Sequence, residues 1–212
     1  MGIYGGSPVI SENTISGGSS YFWIGRSFER DHNTIAIDGY CSPTIAANNI
    51  QGSISFDANE NGGVQNDTRT YVNAVISRNE MGAILIQDGA GHVVISNNIM
   101  SGVMAGKEVA TTISGNLITK ANVGLEIGNA VVKDNTIANC PIAITVNNGG
   151  SPVIRGNNIQ NFSQFSIKLI GHPTMLTLQT IGGEQQTPAQ SLRVSMTKKT
   201  ILTWVKSTLH QY

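Results

Sequence analysis

A six-residue pattern, apolar-x-x-Asn-x-apolar, recurs seven times in this chain of 212 residues and constrains its fold more than any other feature. Its copies place asparagine at Asn13, Asn48, Asn79, Asn97, Asn116, Asn135 and Asn157. From Asn79 onward these asparagines are 18, 19, 19 and 22 residues apart. Self-similarity at a period of about 20 residues is typical of repeat proteins, in which one repeat cannot bury its apolar face without neighbours.

Each copy is too short for a helix, alternates Ile or Val with other residues, and is bounded by Gly, Asn or Pro. A second short motif of the same kind lies between copies, as in residues 82–86 and 141–144. Both motifs indicate strands. Several strands per period without helices favour stacking, in which equivalent strands pair in parallel about 4.8 Å apart around a core of inward Ile and Val. The sequence therefore predicts an all-β parallel solenoid of about seven coils.

The repeated asparagine is predicted to lie at a turn, because Asn tolerates the left-handed backbone region. Its side-chain amide can bond the asparagine one rung away, so we expect a continuous asparagine ladder. Stacking also lets equivalent residues be compared as columns. In one such column Lys133 and Arg155 occupy successive rungs and form a cationic stripe, which either meets acidic sugars or is simply solvated.

The seven motifs, which span roughly residues 7–170, resemble the right-handed parallel β-helix family of pectate-lyase-like proteins, particularly its carbohydrate-binding and sugar-hydrolase repeats. The resemblance implies a right-handed, single-stranded parallel β-helix over residues 1–173, a polysaccharide or oligosaccharide as partner, and an extracellular or periplasmic location. The same scaffold carries lyases, epimerases, hydrolases and inert stalks. Two functions therefore stay open: carbohydrate binding with or without catalysis, and a non-catalytic structural or surface module.

The composition excludes several functional classes. Only 12% of residues are charged, and 13 Lys and Arg balance 13 Asp and Glu. Without a cationic excess the chain lacks the electrostatic signature of nucleic-acid binding. No apolar run approaches the ~18 residues that span a membrane, so neither nucleic acid nor membrane is expected as a partner. The first residues lack a signal-peptide pattern, and the chain is expected either to stay inside a cell or to begin after processing.

The two cysteines, Cys41 and Cys140, have neither the spacing of a disulfide framework nor that of a zinc site. About four rungs, or ~15 Å or more along the axis, separate them, which exceeds the Cα separation of a disulfide. We expect free thiols, and no pattern indicates a cofactor or a metal. Three methionines and His92 could offer soft metal ligands, but Met81 takes a position held by Ile elsewhere, which favours core packing.

Two intervals exceed the period: Asn13 to Asn48 spans 35 residues and Asn48 to Asn79 spans 31. The extra residues fall within 17–32 and 57–72. Long loops on a rigid scaffold usually carry function, and we predict that these two converge as a shallow saccharide-binding surface. Aromatic rings would stack on sugar faces, while guanidinium groups would bond hydroxyls or carboxylates. The predicted substrate-binding residues are Tyr21, Trp23, Arg26, Arg30 and Arg69.

Residues 17–32 have two alternative interpretations. Phe22, Trp23 and Phe28 could instead close the open N-terminal end of the stack and protect its strand edge. If Asn33 marks a degenerate repeat, the segment could form an extra coil.

Catalysis would need ionisable groups that the repeats do not supply. A sugar hydrolase needs two carboxyls about 5–10 Å apart, but the columns beside the ladder carry no two carboxylates on adjacent rungs. The predicted catalytic residues therefore lie in the insertions and are Asp31, His32, Asp57 and Asp67. His32 can act as a base near neutral pH, with Arg30 or Arg69 offsetting a substrate carboxylate. The alternative is that these are solvated loop charges, and whether the protein is an enzyme stays open.

After Ile170 the repeat ends, and residues 187–212 contain no Asn. Within this segment Ile201, Leu202, Val205 and Leu209 have helical spacing. A repeat stack needs a cap over its last coil, so residues 174–212 are predicted to form a capping segment, either an amphipathic helix or an irregular wrap. The alternative is a dimerisation arm, because an exposed apolar face would not stay solvated.

Overall fold

Equivalent strands of successive repeats pair in parallel and wind around one core in a computed structural model of the chain. The structure describes residues 1–16, 33–56, 71–86, 90–107, 109–147, 149–171, 176–182, 194–195 and 202–205. These residues form strands and turns without a helix. The predicted all-β parallel solenoid is confirmed, whereas its right-handed sense stays a prediction.

Three sheets run along the solenoid. The first contains β2 (Val9–Ser11), β5 (Thr44–Ala46), β8 (Tyr71–Ser77), β11 (Ala90–Ser96), β14 (Ala110–Ser114), β17 (Ala130–Lys133), β20 (Val153–Gln160), β22 (Leu176–Gly182) and β24 (Leu202–Val205). The second contains β3 (Thr14–Ser16), β6 (Asn49–Gln51), β9 (Glu80–Met81), β12 (Ile99–Met100), β15 (Leu117–Thr119) and β18 (Thr136–Ala138), and the second halves of β20 and β22 extend it.

The third sheet contains β1 (Gly2–Gly6), β4 (Asn33–Cys41), β7 (Ser53–Phe56), β10 (Ala83–Ile86), β13 (Gly102–Ala105), β16 (Val123–Ile127), β19 (Ile142–Val146), β21 (Phe165–Leu169) and β23 (Val194–Ser195). Each turn visits the first, second and third sheets in this order. Three kinds of corner therefore recur along the solenoid, and each can be compared from turn to turn.

Inward columns of β-branched and other apolar residues fill the core. The first sheet supplies Ile10, Ile45, Ile76, Ile95, Ile113, Val132, Ile154 and Leu178. The second supplies Ile50, Met81, Met100, Ile118, Ile137 and Ile159. Burial of one such side chain stabilises the fold by about 1.5–3 kcal/mol, so the repeats hold one another together.

The expected asparagine ladder is confirmed at the corner between the first and second sheets. Its members are Asn13, Asn48, Asn79, Asn98, Asn116, Asn135 and Asn157. In each link, one Nδ2 donates to the next Oδ1 at 2.9–3.2 Å. The seven rungs enclose six turns, slightly fewer than the seven coils expected.

Two details of the predicted ladder are wrong. The rung is Asn98 rather than Asn97, because Ile95 pairs with Ile76 and Ser96 with Ser77. The left-handed residue is also not the ladder asparagine but the residue before it. These left-handed residues are Glu12, Ala47, Arg78, Asn97, Gly115, Asp134 and Gly156, with φ between 57° and 66°. The asparagine recurs in every rung because its amide bonds the neighbouring rungs, whereas the residue before it forms the left-handed turn.

The C-terminal segment differs from the predicted helix where the structure describes it. Leu202–Val205 is strand β24, which pairs in parallel with β22, and β22 itself continues the first sheet beyond residue 173. Whether residues 174–212 cap the stack stays a prediction. Among the described residues, no helix is long and apolar enough to cross a membrane.

Candidate functional site

The two insertions join the third sheet at opposite ends of its strands. Residues 17–32 connect β3 of the second sheet with β4 of the third, and residues 57–70 connect β7 of the third with β8 of the first. Strands β4 and β7 are neighbours, with Ala36 paired to Ser55 and Ile37 to Phe56. The insertions therefore leave and rejoin the solenoid on both sides of one sheet, on adjacent turns.

All nine residues predicted to bind substrate or act in catalysis belong to these insertions. Tyr21, Trp23, Arg26, Arg30, Asp31 and His32 precede β4, whereas Asp57, Asp67 and Arg69 follow β7. They lie outside the described residues, so their convergence stays a prediction. Asn33 is the first residue of β4, where it pairs with Ser53 in the third sheet, and it is not a ladder asparagine.

The outward face of the third sheet carries a column that sequence reasoning missed. The pleat turns these residues away from the core, and successive rungs present Ala36, Ser55, Leu85, Met104, Glu126, Thr145 and Lys168. Glu126 and Lys168 are both partly buried and lie two rungs apart, or about 10 Å. The alternation within each strand motif carried this signal, but the column becomes visible only when the register is known.

Ser55 lies at the level of the two insertions and is completely buried, although its neighbours Ile54 and Phe56 are the ones that enter the core. Its hydroxyl has no hydrogen-bond partner. An unsatisfied buried polar group costs about 1–3 kcal/mol. Leu85, the next residue of the column, is also buried. The third sheet is therefore covered at these rungs rather than open to solvent.

The described columns beside the ladder carry no two carboxylates on adjacent rungs that could form an acid-base pair. The column before the left-handed turn contains Ser11, Ala46, Ser77, Ser96, Ser114, Lys133 and Arg155, with Ser96 in place of the expected Ile95. In the left-handed column Glu12 precedes Ala47, and Asp134 lies between Gly115 and Gly156. The described residues also contain no cluster of three His, Cys, Asp or Glu side chains that could hold a metal ion. These two columns therefore supply no catalytic carboxylate pair.

Met81, Met100 and the two cysteines serve the interior, whereas Met104 lies on the outward face of the third sheet. Met81 and Met100 stack in the core on successive rungs, which confirms core packing, while exposed His92 lies on the first sheet with its Nε2 3.3 Å from Thr112 Oγ1. Cys41 and Cys140 are both buried, and neither is in a disulfide. Burial raises the pKa of the Cys140 thiol, although hydrogen bonds with backbone groups of neighbouring residues act in the opposite direction. A buried, protonated thiol is a weak nucleophile.

Comparison of the chain with protein-family models, with curated proteins and with solved structures found no match. The fold assignment therefore rests on the strand pairing and the ladder described above. The likeness to pectate-lyase-like repeats rests on the sequence motifs.

Proposed function

We propose that this solenoid binds a polysaccharide or oligosaccharide at the outward face of the third sheet, between the two insertions. The observation that carries the proposal is where the insertions join the sheet: one leads into strand β4 and the other follows its paired neighbour β7, at the opposite ends of these strands. Side chains from both ends can reach a ligand that lies along the strands between them. Because Ser55 and Leu85 are buried, the ligand would contact side chains of the insertions rather than these two residues.

Within this proposal, Tyr21 and Trp23 stack on sugar rings, because an aromatic face buries apolar sugar C–H groups while the hydroxyls stay solvated. The guanidinium groups bond hydroxyls or carboxylates, with the planar fork that suits a carboxylate. These arginines are Arg26, Arg30 and Arg69. A uronate-containing glycan would use this cationic set best, because its carboxylates can pair with the guanidinium groups.

A glycan array of neutral and uronate oligosaccharides tests the proposal, followed by titration calorimetry of the strongest hit. Trp23→Ala is expected to weaken binding about tenfold or more, which corresponds to roughly 1.4 kcal/mol. Leu117→Ala, on the outward face of the second sheet, is the matched control and should bind like the wild type. Absence of any retained glycan, or equal affinity of Trp23→Ala and the wild type, would contradict the proposal.

The alternative function is a non-catalytic structural or surface module. The absence of adjacent carboxylates in the described columns beside the ladder favours it over a hydrolase built on the repeats. Incubation of the bound glycan with the protein, followed by mass spectrometry and NMR, distinguishes catalysis from binding alone. If Asp31 and His32 transfer protons, His32→Ala should slow turnover about 100-fold or more. A glycan that the wild type leaves unchanged would identify a binding module.

A further inference from the structure

The outward face of the first sheet has a central column composed only of valine and threonine. Successive rungs present Val9, Thr44, Val75, Val94, Thr112, Val131, Val153 and Thr177. Val9 and Val75 are 71% and 40% exposed, and the remaining six are partly exposed. An uninterrupted, uncharged ribbon therefore runs along one side of the solenoid.

Strand propensity alone does not explain this uniformity. β-branched residues are favoured on every pleated surface, so the same preference acts on all three sheets. The corresponding outward column of the second sheet is mixed and contains Thr14, Asn49, Glu80, Ile99, Leu117, Thr136 and Asn158. The third sheet is equally mixed, with Met104, Glu126 and Lys168 in its column. Only the first sheet, among the described residues, excludes both charge and long side chains from its centre.

Charge on this face is confined to its margin and has one sign. Lys133 and Arg155 lie in the flanking column beside the ladder corner, whose other members are mostly serine. The opposite flank presents Asn73, His92 and Ala110. No carboxylate belongs to the described part of this face. An uncharged centre with polar and cationic residues at the rim is the composition of a protein–protein interface.

We propose that the first sheet packs face to face against the first sheet of a second copy of this chain. A second copy presents the same rung period of about 4.8 Å, so each Val or Thr side chain can enter the groove between two rungs of the other ribbon. Identical flat β-ribbons interdigitate in this way in steric zippers. A two-fold axis parallel to the strands would reverse the rung order, so that Lys133 and Arg155 face the serine half of the flanking column in the other copy.

The area is sufficient for a reversible dimer. Eight rungs and three outward residues per strand define a face of about 34 by 18 Å, or roughly 600 Å² per copy. Stable interfaces bury about 800 Å² per partner and weaker ones about 600 Å² or less, so a weak, reversible dimer is expected. This interface is separate from the proposed glycan face on the third sheet, and at its C-terminal end it includes Thr177 of the segment 174–212.

Sedimentation velocity on the full chain, from about 5 to 500 µM, tests the proposal across the expected range. The wild type should shift from monomer to dimer. Val75→Lys places a charge at the centre of the ribbon and should leave the protein monomeric at all these concentrations. Leu117→Lys is the matched control, because Leu117 is 38% exposed on the second sheet against 40% for Val75. It should dimerise like the wild type, and circular dichroism checks that both variants are folded.

Cysteine cross-linking supplies a second readout that does not depend on a destabilising charge. Thr112→Cys lies near the middle of the ribbon and should be cross-linked into a covalent dimer by a bis-maleimide reagent that spans the roughly 10 Å between packed sheets, whereas Leu117→Cys on the same turn should not. The two native cysteines are buried, so the wild type is the blank. A wild type that stays monomeric, or a dimer that survives Val75→Lys, overturns the proposal; the second result would assign self-association to another surface.

Discussion

The corners of the solenoid differ in whether they tolerate inserted residues. The corner between the first and second sheets is to be compared with the two corners that border the third sheet. At the first corner, one left-handed residue and one ladder asparagine connect the strands in every turn from Asn13 to Asn157. At the other two corners, residues 17–32 and 57–70 are inserted. Each buried amide bonds both neighbouring turns, so an extra residue there would break bonds in more than one rung. Buried hydrogen bonds fix the length of one corner, and variation is confined to the others.

Removal of one ladder amide should have the largest effect. The Asn116 side chain donates to Ile95 O, Ser114 O and Asn135 Oδ1, and its Oδ1 accepts from the backbone and side chain of Asn98. Asn116→Ala leaves these buried groups unpaired and should lower the free energy of unfolding by about 3–5 kcal/mol. Urea unfolding monitored by circular dichroism measures the loss.

Asn139→Ala is the control for the ladder variant. Asn139 lies at the corner between the second and third sheets, where its side chain is exposed and bonds Asn161 at 3.2 Å. Asn139 also has a φ of 57°, so the loss of its exposed bonds and the left-handed backbone of an alanine there should together cost no more than about 2 kcal/mol, which is below the loss expected at Asn116. Similar losses for Asn116→Ala and Asn139→Ala would show that the two corners do not differ as described.

Substitution of a left-handed residue beside the ladder should change the stability less, and the direction of the change depends on the residue. A Cβ on Gly115 would lie 2.5 Å from Asn97 Oδ1, and the residue has a φ of 66°. Gly115→Ala should therefore lower stability by about 2 kcal/mol. Ala47 already has a φ of 57°, so Ala47→Gly relieves backbone strain and should raise stability by up to about 1 kcal/mol. Thermal unfolding compares the pair, and destabilisation by Ala47→Gly of the same size as by Gly115→Ala would contradict this account.

The smallest expected effect concerns Cys140, at a corner that borders the third sheet. Its thiol donates to Ala138 O at 3.4 Å, and burial raises its pKa above the ordinary value of 9.0. A raised folded pKa gives stability that is fully present below pH 9.0 and is lost as the pH rises through the folded pKa. Cys140→Val should therefore lose less stability than the wild type between about pH 8 and 11. Equal losses of stability in Cys140→Val and the wild type over this pH range would contradict the raised pKa of Cys140.

The repeat made most of the fold predictable, because the same column of Ile and the same Asn chemistry recur in every turn. The register within one repeat was harder. Asn97 and Asn98 both fit the six-residue pattern, and only the pairing of Ile95 with Ile76 shows which of them joins the ladder. At the C-terminus, the i, i+3 spacing of Leu202 and Val205 favours a helix, but their segment pairs with β22 and is a strand.

The candidate site was less predictable for a physical reason. Residues 17–32 and 57–70 lack the repeat, so no column assigns their side chains to a face or a rung. Glu126 and Lys168 do alternate outward in their strands, but their membership of one column depends on turns of unequal length. The Val and Thr ribbon could not be predicted from the sequence for the same reason. A single β-branched residue on a strand is common, and only the register shows that these residues form one column.

The most direct test of the central claim is glycan titration into a chain whose residues 57–70 are replaced by a short glycine linker. Because this insertion lies outside the ladder corner, the variant should unfold within about 1 kcal/mol of the wild type. It should also lose binding to the oligosaccharide selected on the array. A folded variant that binds the glycan with unchanged affinity would contradict the assignment of binding to the third-sheet face.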